Sequence, residues 1–101
     1  MTASNLAWLA YGLMITGNSS STYKSVFDNA SQKKANDEIV LFVKACIMAE
    51  QGLGTEEIAG TLSKACANGF SYFTFLDTDQ SLSKIKDEAA IRALRQRYSR
   101  K

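Results

Sequence analysis

A long apolar stretch lies in the middle of the chain, where residues 38–51 read Glu38-Ile-Val-Leu-Phe-Val-Lys-Ala-Cys-Ile-Met-Ala-Glu-Gln51. Lys44 is the only charged residue between the two glutamates, and the apolar side chains fall on several faces of a helix drawn through this stretch. Asn36 or Asp37 can cap its beginning, and Gly52 follows its end. We therefore predict a central helix with neighbours packed on several sides.

The same stretch leaves one alternative open for the fold class. Its β-branched beginning at 39–43 would also suit a buried strand, and periodicity alone does not separate the two. Residues 70–76 hold four aromatic side chains and suit either a short strand or a helix that forms one wall of the core. Because the length of 38–51 favours a helix, we predict an all-α bundle of four to six helices. The alternative is an α+β fold with strands at 39–43 and 70–76.

The composition is that of one small folded unit. The chain has 101 residues, of which 46% are hydrophobic and 22% charged, so it can build a core. No proline occurs, which removes the commonest helix breaker. We predict a single helical domain over residues 1–101, in which the uncharged stretch 6–15 is enclosed. That stretch is shorter than the roughly 20 residues that span a bilayer, so we expect no membrane partner.

Polar residues suggest where the other helices begin and end. Ser4 or Asn5 can cap a first helix that runs to about Ile15. A short second helix carries Tyr23, Val26, Phe27 and Ala30. After the central helix, the sequence predicts an amphipathic helix that is capped by Thr55 and closed by Asn68-Gly69. A last helix is expected to begin at Ser81 or Ser83 and to bury Leu82, Ile85, Ala89, Ile91, Leu94 and Tyr98.

Several kinds of chemistry lack the residues that they need. The chain has no histidine and two cysteines, Cys46 and Cys66, so no catalytic triad or zinc site can be assembled. Residues 77–88 resemble an EF-hand loop, but Leu82 stands where that loop needs glycine and Lys84 adds a cation. We expect no catalytic residue, metal or cofactor. Both cysteines lie in apolar runs, which favours free thiols and a cytoplasmic location.

One segment is similar to a DNA-binding motif. Residues 52–62, Gly52-Leu-Gly-Thr-Glu-Glu-Ile-Ala-Gly-Thr-Leu62, resemble the opening helix of a helix-turn-helix of the response-regulator type. The resemblance implies a second, DNA-reading helix within residues 52–76. The following stretch, 70–79, contains no basic residue and two aspartates, a pattern that repels phosphate.

The net charge of +2 hides an uneven distribution. Residues 92–101 form the predicted basic end of the last helix, with a charge of +5 and no acidic residue. Residues 1–91 hold seven lysines and ten acidic residues, a net charge of −3. The five cations that we expect to contact a partner are Arg92, Arg95, Arg97, Arg100 and Lys101. Cations also complement the negative end of a helix dipole, which is the structural explanation of the same pattern.

These observations favour a small non-enzymatic binding protein that acts as an adaptor, inhibitor or regulator through protein–protein contacts, with an acidic surface as its target. A nucleic-acid-binding regulator that uses the basic end or segment 52–76 is the alternative. A homodimer and a monomer are equally compatible with the uncharged first helix and the aromatic stretch.

Overall fold

Five α-helices make up most of the part of the chain that this computed structural model describes, which is residues 2–71, 78–79, 82–85 and 87–98. They are α1 (Ala3–Ile15), α2 (Ser20–Lys33), α3 (Glu38–Glu50), α4 (Thr55–Ala67) and α5 (Ala89–Tyr98), with a short 3₁₀ turn at Leu82–Ile85 before α5. α1 packs against α2 and α3, and α4 packs against α3 and α5. The described residues contain no strand, and the all-α prediction is confirmed.

The central helix α3 decides between the two predicted fold classes. Residues 39–43 are helical and every one of them is buried, so the alternative strand at 39–43 is wrong. Phe42 is fully buried, and its ring stacks on that of Phe70 with 4.6 Å between centroids. The rings of Trp8 and Tyr11 lie 6.0 and 5.9 Å from it. Of the second proposed strand, residues 70–71 are not in a strand and 72–76 lie outside the described residues.

Side chains tie the beginnings of α1 and α3 together. The Asp37 carboxylate caps α3 by accepting the backbone N–H of Ile39 and of Val40 at 2.9 and 3.1 Å, as the sequence predicted. The Ser4 hydroxyl also donates to this carboxylate, at 2.7 Å. The cap of α1 is Thr2, which accepts from the Asn5 N–H, so the prediction of Ser4 or Asn5 as its cap is wrong. Ser4 contacts the neighbouring helix instead.

The fourth helix begins one residue away from its predicted cap. Gly54 is the N-cap of α4 and Thr55 is its first residue, so no side chain caps this end. The helix closes as predicted after Ala67, because Gly69 takes the left-handed conformation at φ +109° that favours glycine. Its buried side chains, Ile58, Leu62 and Ala65, follow the predicted apolar face.

The predicted last helix is divided into the 3₁₀ turn and α5. Leu82 and Ile91 are both 1% exposed. In one continuous α-helix, residues nine apart would point about 180° away from each other, and both could not face one core. The Asp79 carboxylate accepts the Leu82 N–H at 2.8 Å and so begins the separate turn. The break lets both side chains face the core, and the sequence pattern did not indicate it.

The first helix is only partly enclosed. Its buried residues Ala3, Ala7, Ala10 and Tyr11 lie on one side, spaced as one face of a helix. Leu9 is 43% exposed and Ile15 is 56% exposed, so the complete enclosure predicted for this stretch is not reached. No described helix has the combination of length and apolar character that crossing a bilayer requires.

Candidate functional site

An open groove of about 740 Å³ lies between α2, α3 and α4. Each helix contributes a strip of residues with helical spacing. The strip on α3 is Lys44, Ile47, Met48 and Gln51; that on α4 is Glu57, Gly60, Thr61 and Lys64; that on α2 is Lys24, Phe27 and Asp28. Residues at i, i+3, i+4 and i+7 share one face of a helix, so one face from each helix is turned toward the groove. A volume of this size is typical of ligand and partner sites.

The floor of the groove is apolar and adaptable. Phe27, Ile47 and Met48 line it, and Leu53, which lies between α3 and α4, is 42% exposed at its edge. The Thr61 hydroxyl lies 3.4 Å from the Met48 sulfur and also donates to the Glu57 carbonyl. Methionine is unbranched and polarizable, so it can adjust to the shape of an apolar partner.

One lysine from each of the three helices stands at the groove: Lys24 is half-buried, and Lys44 and Lys64 are exposed. Two carboxylates, Asp28 and Glu57, also line it. The Oε1 atom of Glu57 lies 3.6 Å from the position that a Cβ would take on Gly54, the N-cap of α4, so its charge faces the positive end of the helix dipole. Three lysines against two carboxylates leave the lining of the groove with a net charge of +1, which favours an anionic ligand.

A second, smaller groove of about 250 Å³ lies between α4 and α5. Ala59, Gly60 and Ser63 line it from α4, and Arg97 and Tyr98 are among the residues that line it from α5. Gly60 lines both grooves, and a Cβ placed on it would meet nothing within 4 Å. The two grooves are therefore neighbours on one surface, separated by the exposed face of α4.

The cations predicted as partner-binding residues lie on α5 and beyond it. Arg92 and Arg97 are exposed, and Arg95 is half-buried. The Arg97 guanidinium carbon lies 5.5 Å from the centre of the Tyr98 ring. Arg100 and Lys101 lie outside the described residues. Of the predicted set, Arg97 borders the smaller groove.

Sequence reasoning missed Lys24, Lys44 and Lys64 as a group. One signal was available, since Lys44 is the only charged residue between the two glutamates at the ends of α3 and so marks where this helix reaches the surface. The convergence of three separate helices on one groove is a tertiary feature.

The segment that resembles a helix-turn-helix is described only in part. α4 corresponds to its first helix, but 72–76, where most of a second helix would fall, lie outside the described residues. The face of α4 formed by Ile58, Leu62 and Ala65 is buried in the core, and its Gly60 and Lys64 face the larger groove.

A buried polar cluster lies apart from both grooves. The Tyr11 hydroxyl donates to the Asp79 carboxylate at 2.7 Å, and Asp79 is 4% exposed. Burial, together with the nearby Asp79 charge, raises the pKa of the Cys46 thiol well above its ordinary value. Burial and the hydrogen bond to Asp79 likewise raise the pKa of Tyr11.

Cys46 and Cys66 are free thiols, and burial raises the pKa of Cys66 as well. A protonated, buried thiol is a poor nucleophile, so Cys46 serves packing.

These shifts predict that the protein loses stability at alkaline pH. Unfolded cysteine ionises near pH 8.5 and unfolded tyrosine near pH 10, whereas native Cys46 and Tyr11 stay protonated. The unfolded state then binds fewer protons than the native state, so the free energy of unfolding falls by up to about 1.4 kcal/mol per pH unit for each such group. Urea unfolding between pH 7 and 10 measures this. Cys46→Ala should reduce the fall in the free energy of unfolding between about pH 8.5 and 9.5. An equally steep fall in that variant would contradict the role of the Cys46 thiol.

The larger groove offers apolar contacts and ammonium groups, a combination suited to binding. The described residues contain no group of three or more cysteines, aspartates or glutamates placed to hold a metal ion. Comparison of the chain with protein-family models, with curated proteins and with solved structures found no match in any of the three.

Proposed function

We propose that this protein is a small non-enzymatic binding protein, an adaptor, inhibitor or regulator that acts in the cytoplasm through contacts with another protein. The observation that carries the proposal is the surface on both sides of Gly60, where a 740 Å³ groove with an apolar floor adjoins a helix that bears exposed arginines. Open apolar grooves rimmed by polar side chains are typical of protein interaction sites.

An acidic partner surface fits this region best. Arg92 and Arg97 are exposed on α5, and their planar guanidinium groups can hold carboxylates through paired hydrogen bonds. The lysines of the larger groove add charge of the same sign. We assign Arg92, Arg95, Arg97, Arg100 and Lys101 to the contact with the partner, as proposed from the sequence.

Affinity purification of the tagged full-length protein from its native host tests the proposal. A discrete protein should co-purify with the wild type, and nuclease treatment should not release it, because the contact is with protein. Arg92→Gln/Arg97→Gln should release it, whereas Arg92→Lys/Arg97→Lys should weaken it less than the glutamine pair. These substitutions are preferable to removal of α5, which would take Ile91 and Leu94 out of the core. Equal recovery with all three proteins, or no co-purifying protein, would overturn the proposal.

The alternative function, nucleic-acid-binding regulation, uses the same exposed arginines of α5. Retention on heparin at several salt concentrations separates the two. Release of phosphate counterions gives nucleic-acid binders a steep salt dependence, which the glutamine pair would then reduce. A shallow dependence that the glutamine pair leaves unchanged supports the protein-binding proposal.

A further inference from the structure

We propose that the groove between α2, α3 and α4 is the docking site for an acidic amphipathic α-helix of a partner protein. The proposal rests on the protein-binding function above and names the kind of element that the protein recognises. Its grounds are the shape of the groove, its apolar floor and the charge around it.

The shape of the groove suits a helix. Three helices enclose it, and its floor runs along α3 from Lys44 to Gln51. Seven residues of helix rise about 10 Å, so a partner helix of two to three turns matches this floor. The described part of the chain has no strand to offer for pairing with an extended peptide, whereas helix-in-groove binding needs only apolar side chains at helical spacing on the partner.

The apolar residues of the groove floor determine where a partner helix must carry apolar side chains. Phe27, Ile47, Met48 and Leu53 lie toward the groove, and the free protein leaves Leu53 42% exposed. A helix that places apolar side chains at i, i+3 or i+4, and i+7 over this floor would cover them. The Met48 side chain adapts to anchors of differing shape.

The charge around the groove favours an acidic helix, because the lining holds three lysines against two carboxylates, Asp28 and Glu57. Lys24, Lys44 and Lys64 come from three different helices, and none forms an ion pair with another residue in the described part of the chain. Carboxylates beside the apolar anchors of a partner helix would therefore meet cations at several points of the groove.

The same charge pattern argues against α1 or α5 of a second copy of this chain as the occupant. The first 23 residues, which include all of α1, carry no charged side chain, and α5 carries three arginines and no acid. Neither helix offers carboxylates to the lysines of the groove.

A display library of random peptides of about 15 residues tests the proposal against the labelled full-length protein. Selected peptides should carry apolar residues at helical spacing with aspartate or glutamate beside them. Gly60→Trp should weaken their binding at least about tenfold by filling the groove, since a Cβ at Gly60 meets no atom within 4 Å. Gly12→Trp, at a glycine of α1 whose Cβ is equally unobstructed, is the matched control and should change binding less than about twofold.

Charge reversal provides a second pair of variants that does not depend on how the protein accepts a tryptophan. Lys44→Glu should weaken binding more than about fivefold, and Lys84→Glu, at an exposed lysine outside the groove, should leave it nearly unchanged. Peptides with basic flanks, peptides without helical spacing, equal binding by the Gly60→Trp protein, or failure to select any peptide would each overturn the proposal. Sedimentation that shows a dimer abolished by Gly60→Trp would also overturn it, because the occupant would be a second copy.

The two proposals fail separately. Co-purification of a protein with failure of the peptide selection would leave the protein-binding function standing and remove the groove as its site. Selection of acidic helices with no co-purifying protein would leave the groove as a helix-binding site and remove the function proposed for the basic surface of α5.

Discussion

Replacement of Phe42 by alanine is expected to lower the free energy of unfolding by about 3–5 kcal/mol. Phe42 is fully buried in α3, and its ring stacks on Phe70 and lies near the rings of Trp8 and Tyr11. Alanine would remove these aromatic contacts and leave a cavity where α1, α3 and Phe70 meet. Domains of this size have about 5–15 kcal/mol of stability in total, so a large part of it depends on this side chain.

Urea unfolding followed by circular dichroism measures the loss, and Phe27→Ala is its matched control. Phe27 is half-buried at the larger groove, so its removal should cost clearly less than that of Phe42. Phe42→Leu keeps much of the volume and should fall between the wild type and Phe42→Ala. Equal losses at positions 42 and 27 would show that the centre of the core lies elsewhere.

The second large effect is expected at the buried hydrogen bond between Tyr11 and Asp79. Tyr11→Phe removes the hydroxyl that donates to the Asp79 carboxylate at 2.7 Å and should cost about 1.5–3 kcal/mol. Asp79→Ala removes the acceptor of both the Tyr11 hydroxyl and the Leu82 N–H, so its expected cost is about 2–4 kcal/mol. The effects reach far along the chain, because this bond joins residues that are 68 positions apart.

A double-mutant cycle isolates the contribution of this bond. The Tyr11→Phe/Asp79→Ala protein should lose about 1–3 kcal/mol less than the two single variants lose together, because each single change already breaks the same bond. Tyr23→Phe is the control, since Tyr23 is also buried but its hydroxyl has no partner among the described residues. If the losses of the two single variants add up to the loss of the double variant, Tyr11 and Asp79 stabilise the fold independently.

The core and the larger groove share the helix α3, which connects stability to binding. Phe42 and Cys46 lie in the core, whereas Lys44 and Met48 of the same helix line the groove. A floor formed by the most buried helix keeps its shape before a partner arrives, which reduces the ordering cost of binding. Variants of the groove can therefore be compared at nearly constant stability only when they leave the buried face of α3 intact.

The all-α class, the beginning of α3 and the end of α4 could be predicted because they depend on local properties of the chain. Asp37 caps α3 through a side chain that reaches its own backbone, and Gly69 closes α4 through a backbone conformation that favours glycine. The apolar residues of 39–43 suited both helix and strand, and the length of the stretch correctly favoured the helix. These features require no knowledge of which other residues come near.

Features that depend on contacts distant in sequence could not be predicted in this way. Ser4 looked like a cap of its own helix, but its hydroxyl donates to Asp37, 33 residues away. The expected continuous last helix is divided into a 3₁₀ turn, which Asp79 begins, and α5, and in this arrangement Leu82 and Ile91 are both buried. The spacing of apolar residues describes each helix by itself, whereas the burial of a side chain depends on how all the helices pack together.

The amino-acid sequence by itself determined the helical class, the central place of residues 38–51 and the separation of a basic end from an acidic body. Only the tertiary structure decided that Lys24, Lys44 and Lys64 stand around one apolar groove. The physical reason is that helical periodicity defines the faces of each helix, while packing of α2 and α4 around α3 decides which of those faces meet at the surface.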